Sequence, residues 1–366
     1  MSRARDFADL AGSADAGGLT GRNMVINGAM QVAQRGTSFT SNGYNVDRWR
    51  NDVVNAGAFT VTQSTTVPSG SGFVNSVKWD CTTADASLAA SDYLIHSQRI
   101  EAQNLQHLAY GTSSAKAVTL SFWVRSNKTG TYWAEIQHSD AGVYSGIRYT
   151  INSADTWEFK TLTFDGYQTT AINNDNGIGF FVNWWLAAGT TFTSGTLTEN
   201  SFHSTNANRL VGQVNLADST SNEWYVTGCQ LEVGEQATPF EHRSFADELA
   251  RCQRYYSKSY SYDVAPGTVS GAGQEVQRGV TQGGGFTGST FDFPVAMRTG
   301  PTMTFYLSGN ANTAGQWNVN YSGGTSAVTA TVQDLGTSGC RADITTGIGN
   351  WTACQVYGHW VADAEL

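Results

Sequence analysis

From Ala117 to Ser126 the hydrophobic residues fall on every second position. Val118, Leu120, Phe122 and Val124 share one side; Thr119, Ser121, Trp123 and Arg125 share the other. A period of two belongs to an extended chain with one buried face, and a helix cannot satisfy it. The turn-like Ser126–Gly130 follows. Tyr132–Gln137 then returns with Tyr132, Ala134 and Ile136 inward, which reads as a hairpin. Similar runs predict strands at Asn23–Val32, Ala58–Ser64, Asn75–Thr82, Ile147–Ile151, Trp157–Phe164, Ile178–Leu186 and Glu223–Val233, with one short helix within Ser97–Leu108. Short strands separated by Gly, Asn, Asp and Ser turns point to an all-β protein, and for residues 24–243 to a jelly-roll β-sandwich.

Composition narrows the partners. Charged residues are 14% of the chain, and 11 Trp, 15 Tyr and 17 Phe supply ample core material, the reverse of a disordered chain. The 40 Gly lack a three-residue period and Pro is scarce, so collagen is excluded. A net charge of −9 without any Lys/Arg run argues against nucleic acid and anionic membranes as partners. The longest apolar stretch, Gly177–Ala188, is too short to span a bilayer and contains Asn183. Asp6 and Asp9 interrupt any signal-peptide core after Arg3 and Arg5. Cys81, Cys229, Cys252, Cys340 and Cys354 form no CxxC pair and read as reduced, buried thiols.

Residues 1–23 are expected to form an attachment arm, a short helix over Arg3–Leu10 followed by a flexible linker, with Arg3, Arg5, Phe7 and Leu10 as its contact residues. Residues 244–256 read as a connector helix: Ser244 and Asp247 resemble a capping box, and Phe245, Leu249, Cys252 and Tyr256 make an apolar stripe. Residues 257–366 return to strand composition and suggest a second, smaller β-sandwich domain.

Catalytic signatures are missing. There is no HExxH, GxSxG or P-loop, and the six His lack metal-ligand spacing, so no enzymatic activity, cofactor or metal is expected. The outward positions of the strands are more informative. Placed in one sheet, the strands would gather Trp123, Arg125, Trp133, Glu135, Gln137, Asn183 and Trp185 on a single surface. Flat rings beside planar hydrogen-bonding groups suit a sugar ring. The same face could instead be covered by the arm, a long loop or another subunit.

Several phrases resemble bacteriophage tail-fibre and other virion proteins. They are Asn23–Gly36, Gly43–Trp49, Trp224–Arg243, Glu248–Tyr256, Phe293–Arg298 with Pro301 and Thr302, and Ala362–Leu366; Ser2–Leu10 is similar to their N-terminal arms. The first domain also resembles jelly-roll carbohydrate-binding modules. Many of those carry calcium beside acidic residues; here Gln31, Thr227 and Gly228 stand in the corresponding places, so no calcium site is carried over. The resemblance implies a homotrimeric virion protein, assembled in a bacterial cytoplasm. It would bind other virion proteins through its arm and a bacterial surface polysaccharide through its β-domains. A head fibre, decoration or connector protein of purely structural role is the alternative.

Overall fold

The computed structural model describes residues 21–309 and 313–366, without the side chains of 287–289. Arg3, Arg5, Phe7 and Leu10 therefore lie outside the described residues. The described chain divides into two compact units, residues 21–31, 37–244 and 366 in the first, and 32–36 with 245–365 in the second.

The first unit contains β1 (Ser38–Phe39), β2 (Gly43–Tyr44), β3 (Trp49–Val54), β4 (Ala58–Ser64), β5 (Ser76–Thr83), β6 (Tyr93–Glu101), β7 (Val118–Ser126), β8 (Gly130–His138), β9 (Val143–Ile151), β10 (Glu158–Phe164), β11 (Ile178–Ala188) and β12 (Glu223–Val233). They form two six-stranded antiparallel sheets, ordered β1-β4-β5-β12-β7-β10 and β2-β3-β6-β11-β8-β9. The chain passes repeatedly from one sheet to the other, the connectivity of a jelly-roll sandwich. Val118, Leu120, Phe122 and Val124 are all fully buried between the sheets, as their period of two requires. Trp49, Trp79, Trp184 and Trp224 join them in one core.

Two local expectations are corrected. β7 and β8 are not a hairpin: β7 pairs with β12 and β10, and β8 with β11 and β9. The intervening turn instead carries the chain between sheets and is tied to the start of β12, where Asn127 Oδ1 accepts the Glu223 N–H at 2.9 Å. Asn23–Val32 is not a strand either. Asn27 and Met30 adopt left-handed φ values of 58° and 56°, which break the alternation, although Val25 and Met30 are fully buried.

The second unit contains α1 (Phe245–Gln253) and β13 (Tyr256–Lys258), β14 (Glu275–Val280), β15 (Gly285–Asp292), β16 (Thr302–Tyr306), β17 (Gln316–Tyr321), β18 (Gly324–Gln333), β19 (Gly339–Thr345) and β20 (Ala353–Asp363). The helix stops before Tyr256, which opens β13 and so leaves the expected apolar stripe. Where a second sandwich was expected, these eight strands belong to one sheet. β20 has two partners at each level: β13 and β16 along Val361–Asp363, β14 and β17 along Cys354–Tyr357. Trp317 lies across Gly358, where an added Cβ would stand 2.2 Å from the indole, so this position excludes a side chain. Among the described residues no helix is long and apolar enough to cross a membrane.

Candidate functional site

The residues expected on one surface fall on the outer faces of two sheets. Trp133, Glu135 and Gln137 on β8 and Asn183 and Trp185 on β11 do share a face, with Trp185 opposite Trp133, Asn183 opposite Glu135 and Phe181 opposite Gln137. Trp123 and Arg125 on β7 belong to the other sheet and face the opposite way. The single seven-residue surface does not form, because the chain changes sheets at residues 127–129.

The β8–β11 face is closed at its tryptophan end. Trp133 and Trp185 are 0% and 2% exposed and pack with Leu210, Phe192 and Tyr93 into a small second core. The covering segment runs from Gly189 to Leu210. Arg209 fastens it, with Nε and Nη2 donating to the two Glu135 carboxylate oxygens at 2.7 and 2.6 Å, while Asn183 Nδ2 donates to Glu135 at 3.0 Å. The guanidinium also lies 4.8 Å from the Trp185 ring centroid. Burial alone would lower the Arg209 pKa, but the Glu135 carboxylate beside it leaves the pKa raised. Of this group Gln137 remains half-buried; the tryptophans offer no platform to a ligand.

The other face is open around Trp123. β12 brings Tyr225 opposite Arg125 on one side and Lys78 on the other, while β10 brings Phe159 opposite Trp123. Phe159 is 48% exposed, and its ring centroid lies 5.3 Å from that of the half-buried Trp123. Trp157 stands edge-on to Tyr225 at 6.1 Å. Gly228, with φ of 63°, forms part of a bulge in β12; a Cβ there would press on Phe73 at 2.6 Å and on Trp123 at 3.2 Å. The strand irregularity thus makes room for the Trp123 ring.

Charged groups frame these rings. Arg125 sits 4.9 Å over the Tyr225 ring and donates to Asp155 at 2.8 Å; Lys78 pairs with Glu223 at 2.6 Å and with Asp80 at 3.6 Å. Burial opposes ionisation of Glu223, yet hydrogen bonds from Lys78 and the Tyr225 hydroxyl hold its carboxyl below the ordinary range. The Lys78 ammonium is correspondingly raised by Glu223 against the effect of burial. Aromatic C–H-stacking surface, cationic N–H donors and ionised acceptors are therefore collected on one side of one sheet. The sequence pattern already supplied Trp123 and Arg125. It missed Tyr225, Phe159, Trp157 and Lys78, whose alternation was readable but whose sheet partners were not. Among the described residues no group of three or more His, Cys, Asp or Glu could hold a metal ion.

No protein-family model matches the chain, and no curated protein sequence matches it. Solved structures similar to it include the bacteriophage CBA120 tailspike protein 4 enzymatically active domain, with TM-score 0.30 and 14% identity over 58% of this chain and 21% of that one. TmCBM61 in complex with β-1,4-galactotriose gives 0.29 and 12% over 58% and 99%. A putative sugar-binding protein from Bacteroides thetaiotaomicron gives 0.31 and 12% over 58% and 100%. At these scores the likeness carries nothing over to individual residues.

Proposed function

We propose that this chain is a non-enzymatic virion component that contacts a bacterial surface polysaccharide through the outer face of its first sheet. The observation that carries the reading is the exposed Phe159–Trp123 pair beside Tyr225, Arg125 and Lys78. The sequence phrases resembling phage fibre proteins supply the virion context. A glycosidase would need one carboxyl kept protonated near neutral pH. Glu223, the carboxyl beside these rings, is held below its ordinary range by Lys78 and Tyr225 and does not fill that role. Attachment through Arg3, Arg5, Phe7 and Leu10, and homotrimer formation, belong to the same proposal.

The test is binding of the full chain to a panel of purified bacterial surface polysaccharides. Trp123→Ala should weaken binding about tenfold, the loss of one stacking contact of roughly 1–1.5 kcal/mol, without changing the circular-dichroism melt. Unchanged affinity removes the proposed face, and released oligosaccharides overturn the non-enzymatic reading. Deleting residues 2–22 should prevent incorporation into particles; normal incorporation would show that the arm is not the anchor. Light scattering showing a monomer would remove the trimer.

A further inference from the structure

Among the described residues, Asp80, Asp155 and Glu223 face the cations Lys78 and Arg125 around the rings beside Trp123. Lys78 is shared by Glu223 at 2.6 Å and Asp80 at 3.6 Å. Arg125 grips Asp155 twice, Nη2 donating to Oδ1 at 2.8 Å and Nε to the main-chain carbonyl at 2.9 Å. Both cations therefore already have a counter-ion, and one negative charge is left over. The surplus sits at Lys78, where Glu223 stands directly opposite Asp80 in the β5–β12 register. Like charges opposite each other on a sheet destabilise it. Asp80 adds only a long contact to an ammonium that Glu223 already holds, so it contributes little to the fold.

Exposure decides which sign a ligand meets. The Lys78 and Arg125 side chains are 23% and 19% exposed, against 40% and 58% for Asp80 and Asp155. The two cations also lie against the Tyr225 ring, 5.9 and 4.9 Å from its centroid, and are partly engaged by it. Carboxylates are thus the more accessible charges around the aromatic surface. A glycan bearing carboxylates would bring like charge against Asp80 and Asp155, or would have to displace them from Lys78 and Arg125. Either is penalised, and such a like-charge contact is one way in which a binding site rejects a wrong partner. An uncharged glycan meets no such penalty, because hydroxyls donate to carboxylates and accept from ammonium and guanidinium groups alike.

We propose that Asp80 and Asp155 are specificity-determining residues that turn acidic polysaccharides away, so that the glycan taken by this face is uncharged. The proposal rests on the reading of the Trp123 face as a glycan-binding surface. Binding to the full chain is measured with dextran and levan as uncharged polymers and with polysialic acid, hyaluronate and alginate as acidic ones. Each acidic polymer is used as such and after chemical reduction of its carboxyls to alcohols, which keeps the backbone and removes the charge. The wild type should bind uncharged or reduced polymers, and every acidic parent more weakly than its own reduced form. Asp80→Asn combined with Asp155→Asn should strengthen binding of an acidic parent about tenfold. Asn suits the left-handed φ of 58° at Asp155, so that turn is kept. An acidic polymer held by the wild type as tightly as its reduced form, or no gain in the double variant, overturns this proposal alone, provided that Trp123→Ala weakens binding. No binding by any polymer, or affinity unchanged in Trp123→Ala, overturns the glycan reading and this proposal with it. Should the double variant fail to fold, the comparison of parent and reduced polymers on the wild type decides.

Discussion

Trp123 and Trp185 occupy equivalent places, each the outward residue of an internal strand in its own sheet, yet one ring reaches solvent and the other does not. Over Trp185 the chain from Gly189 to Leu210 folds back and brings Arg209 onto Glu135 and Leu210 onto the indoles. Over the first sheet a comparable cover begins after β12. Thr119 donates to the Gly234 carbonyl at 2.7 Å, and Thr238 donates its N–H to Glu232 at 2.8 Å. That cover buries Gln230 and Glu232 but leaves Phe159 beside Trp123 48% exposed. The sheet only supplies an outward face. Whether the face becomes core or surface is decided by a segment distant in sequence that brings its own apolar side chain and counter-charge.

The strongest way to break this contrast is Arg209→Ala. Glu135 would be left 1% exposed without its guanidinium, and removing one partner of a buried pair costs about 3–5 kcal/mol. Denaturant unfolding should show that loss, and tryptophan emission should shift to the red as Trp133 and Trp185 gain water. A loss under about 1 kcal/mol with unchanged emission would mean that Arg209 does not hold the cover.

The core shared by both faces supplies the next test. Burial lowers the His96 pKa from 6.5 to about 3, so the native state binds this proton far more weakly than the unfolded chain. The associated stability is present above pH 6.5, falls as pH drops through the window down to about 3, and is level below it. By pH 4.5 the loss should be about 2–3 kcal/mol. His96→Phe, stacked like His96 on Trp49, should flatten that acid limb. Acid should expose the tryptophans only through unfolding of the whole unit; an opening of the Trp185 face alone near pH 5 would show that the two faces do not share one core.

Much of this was legible in local pattern. The alternation through Phe122 and Val124 located β7, and that of Trp133 and Trp185 correctly put both rings on one outward face. Sheet membership was not legible, because residues 127–129 can close a hairpin or cross a sandwich with the same turn chemistry. The fate of Trp133 and Trp185 was not legible either: it depends on Arg209 and Leu210, which lie in a stretch without strand or helix periodicity. For the same reason Tyr225 and Phe159 could be assigned to strands but not to the neighbourhood of Trp123. The second unit was readable as β and not as one sheet, since only pairing shows that β20 serves four partner strands, two at each level.

The smallest expected effect separates the rim of the cover from its anchor. Glu199 meets Arg148 at 2.7 Å, and its oxygens also accept the Arg148 N–H at 3.1 Å; these bonds hold the Glu199 carboxyl below its ordinary range. The two side chains are 33% and 39% exposed, and surface pairs of this kind contribute roughly 0–1 kcal/mol. Main-chain bonds hold the same stretch independently, Asn200 N–H to the Gly146 carbonyl at 3.0 Å and His203 to Tyr144 in both directions. Glu199→Gln should therefore change the unfolding free energy by less than about 0.5 kcal/mol and leave tryptophan emission unmoved. If it opened the face as fully as Arg209→Ala, closure would depend on charge at the rim, and the difference between Trp123 and Trp185 could not be assigned to the buried Arg209–Glu135 contact.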